Sequence, residues 1–231
     1  MRLLQYLQQF YGFSRRKAFR FIRKGKVRVG PQVITQPLYE VPEGAEVHVE
    51  GYIPGGLRRM MYVAFHKPPG LVVSRKDPHN PTIYTILPEE FRNLRAVGRL
   101  DKYSEGLLLL TNDGLLLHRL THPKYGVPRE YIVRTDPPPD GEVIEAVLRG
   151  IEDEGELLRA HEADITADGL LRVVLRQGKY REIRRMMGRL GRRVRMLRRI
   201  SYGGVRLDIP KGEWRLLRDE EVASLKEMVG L

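Results

Sequence analysis

The sequence predicts an α+β protein in two parts: a small N-terminal module of two short helices and short strands, then a larger domain on a mostly antiparallel sheet. Three observations predict this. Helix-spaced and then strand-spaced apolar residues fill a first stretch of domain-module size, ~60 residues. The Gly/Pro-rich run "GYIPGG" (51–56) then interrupts the periodicity, as a linker does. After it, strand-like runs dominate, without the regular alternation of strand and helix that a parallel βαβ sheet needs. The expected domains are therefore 1–56, with the linker, and 57–231.

The elements follow in order. Leu3, Leu4, Leu7 and Phe10 form a helical stripe over 2–10. Ser14 suits the N-cap of a second helix, with Ala18, Phe19, Phe21 and Ile22 facing inward and Gly25 ending it. Its other face carries Arg15, Arg16, Lys17, Arg20, Arg23 and Lys24. "KVRVG" and "GAEVHVEG" alternate like strands, and Pro31 suits the first central position of a turn. In the second part "MYVAFHK", "GLLLLTN", "REYIVRT", "AHEADITA" and "LLRVVLRQG" read as strands. Residues 142–149, 181–190 and 219–229 read as helices, the last opening on Asp219-Glu220-Glu221, acids suited to a helix N-terminus.

Composition narrows the function. The chain of 231 residues is 42% hydrophobic, enough for a packed core, and has no cysteine, which excludes disulfides, thiolate metal sites and thiol catalysis. No apolar run approaches the ~20 residues that cross a bilayer, and "MRLLQYLQQF" lacks a signal peptide's apolar segment, so a cytoplasmic protein is expected. The net charge of +12 is concentrated. Residues 15–28 hold eight Lys/Arg and no acid, and 172–199 hold twelve against Glu182 alone, so the rest of the chain sums to −7. Two basic segments on an acidic body predict a polyanion bound at defined places, nucleic acid before a membrane surface, since neither segment has an aromatic insertion face.

One stretch, "VGRLDKYSEGLLLLTNDG" (97–114), sets a lone carboxylate, Asp101, at the lip of a very apolar strand. An isolated aspartate is ordinarily a turn residue or a cap. A carboxylate beside apolar walls, however, is costly to keep ionised without a cation. His118 and His122, four apart in "LLLHRLTHP", could share a helix face like metal ligands, but no third ligand accompanies them, so a structural role and no metal are expected.

Resemblance makes these features specific. "SRRKAFRFIRKGKVRV" followed by "PEGAEVHV" resembles the S4 RNA-binding domain, in which the basic helix face docks on RNA backbone. "HKPPGLVVS", "GRLDKYSEGLLLLTNDG", "REYIV" and "GKYREIRRMMGRLG" with "VRMLRRISYGG" resemble, in order, the motifs of the RsuA/RluB group of ribosomal RNA pseudouridine synthases. The resemblance covers nearly the whole chain. It implies an isomerase needing no cofactor, which breaks the bond between ribose C1′ and uracil N1, turns the base and rejoins C1′ to C5. It also implies that Asp101 is the catalytic group, either adding to C1′ or removing a C2′ proton, and charged in both cases. Arg184 matches the cation paired with that aspartate, with Arg181 and Arg185 as competitors or RNA contacts. Tyr131 is expected to stack on the everted base, Arg99 to displace the base or hold phosphate, and Leu197 to pack near the uracil or in the core. Ser104, Tyr180 and Glu182 stand where threonine, asparagine and glutamine are commoner, and none removes a charge that the chemistry needs.

The expected partner is ribosomal RNA or a subunit assembly intermediate, met by a monomer away from membranes. The "GKY" and "YGGVRLD" stretches look closer to small-subunit members, with a large-subunit target as the alternative. A rival of another class is an idle RNA-binding assembly factor on the same scaffold. A glycosidase would want a second positioned acid, for which Glu105 and Asp113 are the nearest.

Overall fold

A computed structural model of the chain describes residues 1–52 and 60–231, so most of the expected linker lies outside the described residues. The chain divides into two compact units, Met1–Met60 and Met61–Leu231.

The first unit consists of α1 (Leu3–Phe10), α2 (Arg15–Arg23), β1 (Val27–Val29), β2 (Gln32–Val33) and β3 (Val47–Val49), the strands forming an antiparallel sheet in the order β2-β1-β3. Ser14 caps α2 by accepting the Lys17 N–H at 3.2 Å, and Gly25, at φ +67°, turns the chain out of it. Leu3, Leu4 and Leu7 of α1 meet Ala18 and Ile22 of α2 and the valines of β1 and β3 in one core. Two expectations change. Phe19 faces outward, 51% exposed, because Ala18 and Ile22 set the inner stripe and the next residue lies ~100° round the helix. In the hairpin Gly30, at φ +55°, takes the first central position, which puts Pro31 second.

The second unit runs β4 (Tyr62–Lys67), β5 (Arg95–Ala96), β6 (Glu105–Thr111), α3 (Gly114–Thr121), β7 (Arg129–Asp136), α4 (Gly141–Arg149), β8 (Ile151–Asp153), β9 (Glu156–Leu158), β10 (Glu162–Ile165), β11 (Leu171–Leu175), α5 (Glu182–Arg189), β12 (Arg193–Tyr202), β13 (Val205–Arg206), β14 (Trp214–Leu216) and α6 (Asp219–Met228). The main sheet has the order β10-β11-β7-β12-β6-β4-β14, antiparallel throughout except where β12 meets β6. β8 and β9 form a separate hairpin.

The four consecutive leucines of β6 make sense at the centre of this sheet. Successive side chains point to opposite faces. Leu107 and Leu109 join one core with Leu116, Leu120 and Leu225, while Leu108 and Leu110 join another with Phe65, Phe91 and Leu100. A strand covered on both faces reads as a continuous apolar run. Gly106 makes the parallel junction possible: at φ +108° a Cβ there would lie 2.3 Å from the Arg199 carbonyl oxygen.

Candidate active site

Asp101 is held by what surrounds its backbone. Val97 and Leu100 are buried anchors, and the intervening Arg99, like Asp101 itself, is left exposed. Beneath them lies Lys67, the last residue of β4, wholly buried. Its ammonium donates to the carbonyls of Ser104 (2.8 Å), Pro68 (3.0 Å), Asp101 (3.2 Å) and Lys102 (3.3 Å). One buried cation thus gathers the loop that carries Asp101. Burial pulls the ammonium down from 10.5 to about 8; Asp101 and Glu105 draw it back up, and Arg199 pushes it lower. Glu105, also buried, is bonded to Arg198 and Lys211, each at 2.6 Å. Burial raises its carboxyl, but those two cations outweigh it and leave the group below its ordinary value.

Arg184 comes from α5, whose Ile183, Met186 and Met187 are buried in the core shared with α4. Glu182, buried at the start of α5, accepts the Lys179 N–H (3.2 Å) and the Gln177 side-chain amide (2.5 Å), which fixes where the helix begins. From this platform Arg184 sets its Nε 3.9 Å from Asp101 Oδ2 and its Nη2 3.3 Å from Ser104 Oγ. Burial lowers the guanidinium from its ordinary value, while Asp101 raises it; an arginine remains charged regardless.

The two competitors differ. Arg185, expected on RNA, has its side chain 15% exposed and bonded to Asp153 and Glu156, both at 2.6 Å, bracing α5 against the β8–β9 hairpin. Acids 29 to 32 residues away in sequence consume it, which local charge counting does not register. Arg181 stands exposed just before α5, in the left-handed conformation at φ +47°.

Beside the Asp101–Arg184 pair lies a cavity of about 290 Å³, walled by Tyr131 from β7, Leu175 from β11, Leu197 from β12 and Ile183 from α5, with Arg99 and Asp101 at its edge. Its size is close to the lower end of the range for small-molecule sites, ~300 Å³. Leu197 is both a cavity wall and a core residue, 6% exposed. The Asp101 side chain is 42% exposed, so the carboxylate opens to solvent on one side.

Comparison with known proteins identifies the family. Residues 1–47 match the S4 domain, and residues 61–188 match RNA pseudouridylate synthase. The chain is 37% identical over 234 residues to an uncharacterized RNA pseudouridine synthase of Aquifex aeolicus, covering 99% of this chain and 98% of that one. It is 34% identical to ribosomal small subunit pseudouridine synthase A of Pseudomonas aeruginosa (97% and 100% covered), and 31% identical to the protein of that name in Escherichia coli (97% and 100%). A crystal structure of a pseudouridylate synthase superposes with a TM-score of 0.71 at 29% identity, covering 97% of this chain and 99% of that one. The chain belongs to the RNA pseudouridylate synthase family.

As a pseudouridine synthase it is an enzyme that isomerises uridine in RNA, and the other sequence motifs take structural places around that chemistry. Asp113 caps α3, accepting the N–H groups of Leu115 (3.1 Å) and Leu116 (3.0 Å), and Glu105 is locked between two cations, so neither is a free second acid for a glycosidase. The rings of His118 and His122 meet edge to face with centroids 5.4 Å apart, and no group of three possible metal ligands occurs among the described residues. Among the same residues no helix is long and apolar enough to cross a membrane. On the S4 unit Arg15, Arg16, Arg20, Arg23 and Lys24 are exposed, whereas the Lys17 ammonium sits over the rings of Phe13 (4.1 Å) and Tyr52 (4.2 Å). Sequence reasoning missed Lys67 as a site residue. Its signal was present in "HKPPG", but its role depends on carbonyls more than thirty positions away.

Proposed function

We propose that the enzyme converts a uridine of small-subunit ribosomal RNA to pseudouridine, with Asp101 as the catalytic carboxylate. Relatives that match over nearly their full length carry the small-subunit name, which supports the target. The observation that carries the site assignment is the Asp101–Arg184 pair, 3.9 Å apart at the edge of a cavity walled by Tyr131 and Leu197.

On this reading the target nucleoside turns out of the RNA and its base enters the cavity. Tyr131 stacks on it, offsetting part of the lost stacking, and Leu197 supplies an apolar wall. Arg99, exposed at the edge, holds phosphate or takes the base's former place. The C1′–N1 bond breaks, the base turns, C1′ bonds to C5, C5 gives up its proton and N1 gains one, so the reaction balances without an added reactant. Arg184, with its Nε 3.9 Å from Asp101 Oδ2, sets a positive charge beside the carboxylate, whose exposed side gives the ribose access. Arg15, Arg16, Arg20, Arg23 and Lys24 dock the S4 unit on RNA backbone, the enzyme working as a cytoplasmic monomer on ribosomal RNA or an assembling subunit.

Asp101→Asn tests the reading. The variant is expected to abolish conversion, followed by mapping pseudouridine in small-subunit RNA, while affinity for that RNA stays within a few-fold. A wild-type protein that converts no uridine in naked RNA or in assembling subunits would overturn the target, and an active Asp101→Asn variant would overturn the residue.

A further inference from the structure

A second cleft, about 440 Å³, opens beside the cavity of Asp101 and has not been given a role. It is lined by Tyr103 and Val194 with five arginines, Arg181, Arg184, Arg192, Arg193 and Arg195, and by no acid. Three of these cations are partly neutralised from outside the cleft. Arg184 faces Asp101, Arg192 is bonded to Asp140, and Arg195 Nη2 lies 2.5 Å from Asp136 Oδ2. The side chains of Arg181 and Arg193, both exposed, make no hydrogen bond or ion pair among the described residues. The cleft therefore carries an uncompensated positive charge.

Two further features point to a nucleotide and not to a bare anion. Tyr103 is 70% exposed, two residues after Asp101, and presents an aromatic ring to solvent, with the Lys102 ammonium 5.2 Å from its centroid. Arg181 lines both the cleft and the cavity, so the two are adjoining spaces that share one guanidinium-bearing wall. Arg181 is also held at φ +47°, a conformation that costs a non-glycine residue free energy and recurs at ligand-binding positions. A uridine turned into the cavity leaves its phosphodiester at the edge, and the chain must continue past that edge.

We propose that this cleft binds the nucleotide next to the target uridine, its phosphate between Arg181 and Arg193 and its base stacked on Tyr103. The inference rests on the proposed function, since it names a further part of the same RNA substrate. Stacking on an aromatic side chain tolerates any base, so Tyr103 supplies grip and registers the backbone; it does not read sequence. Positioning the neighbour fixes where C1′ of the target lies relative to Asp101.

The test uses the full-length protein and a small-subunit ribosomal RNA fragment, intact or with the nucleotide on either side of the target made abasic in turn. Tyr103→Ala is expected to lower kcat/KM about tenfold on intact RNA and Tyr103→Phe to restore it. On the RNA abasic at the stacked side, wild type is expected to fall to the Tyr103→Ala level, with no further loss in the variant. Arg193→Ala is expected to weaken binding and reduce the salt dependence by about one phosphate contact. Tyr103→Ala matching wild type on intact RNA, or losing equally on both abasic RNAs, would overturn the cleft assignment alone. Absence of conversion by every protein, wild type included, would overturn the proposed function and this inference with it.

Discussion

Lys67 carries a charge where charge is expensive. Its ammonium is wholly buried, at a pKa of about 8 against an ordinary 10.5, a displacement equivalent to about 3 kcal/mol of unfavourable burial at neutral pH. The compensation is structural: three of the four carbonyls it holds belong to Asp101, Lys102 and Ser104. Raising the pH through about 8 should discharge the ammonium and loosen that loop, so kcat is expected to fall with a midpoint near 8. Stability moves the other way. Between about 8 and 10.5 the unfolded chain binds this proton more tightly than the folded one, so the Lys67 contribution to stability rises with pH. A pH–rate profile beside thermal melts separates the two, because general alkaline unfolding would lower both together. Lys67→Met is expected to cost more than tenfold in kcat below pH 8, with the difference shrinking above it, and to remove the alkaline limb. Asp101 could be singled out as a candidate in the sequence because its neighbours in the chain form a motif. Lys67 could not, because its partners gather only on folding.

At the scale of elements, β4, β7 and β11, rich in β-branched and aromatic residues, were legible; they and β10 occur where the sequence placed them, and β6 declared itself by its apolar run. The ten-residue β12 was not read as a strand. Irregularities in its pairing with β7, between Val194 and Met196 and between Arg199 and Ser201, break the period of two that marks a strand. Its arginines disguise it further, since Arg199 is fully buried, donating to the Leu107 carbonyl at 2.7 Å, and Arg198 is paired with Glu105. β12 nevertheless sets Leu197 in the cavity wall, so its junction with β6 governs the site. Gly106→Ala is expected to destabilise the protein by more than about 3 kcal/mol, read by urea denaturation. The new methyl would meet Arg199 backbone atoms at 2.3 and 2.6 Å, and backbone cannot swing aside as a side-chain end can. Activity in the surviving folded fraction should fall too, because any relief moves β12 and Leu197 with it.

For the whole molecule, the uneven charge was visible in the sequence but its pairing was not. The segment 172–199 looked as strongly basic as 15–28, yet the acids that make the rest of the chain negative come back onto it. Arg172 meets Glu130, Glu162 and Asp164; Arg185 and Arg189 share Asp153; Arg192 and Arg195 take Asp140 and Asp136. Those cations are committed to the fold, and neutralised charges release few counterions when RNA binds. On α2 and at its C-terminal cap, by contrast, Arg16, Arg20 and Lys24 are exposed and make no ion pair among the described residues. The salt dependence of RNA binding should therefore come mainly from the S4 unit and the unpaired arginines of the cleft. Neutralising Arg16, Arg20 and Lys24 together is expected to reduce the slope of log affinity against log salt by about 2 to 3, one contact's worth per cation. Neutralising Arg185 and Arg189 is expected to leave that slope unchanged and to lower the melting temperature, since it strips the partners from Asp153, whose side chain is 12% exposed. Titrations at several salt concentrations, run beside melts of the same variants, decide it: equal slope changes in the two sets would mean that sequence charge, and not unpaired charge, governs binding.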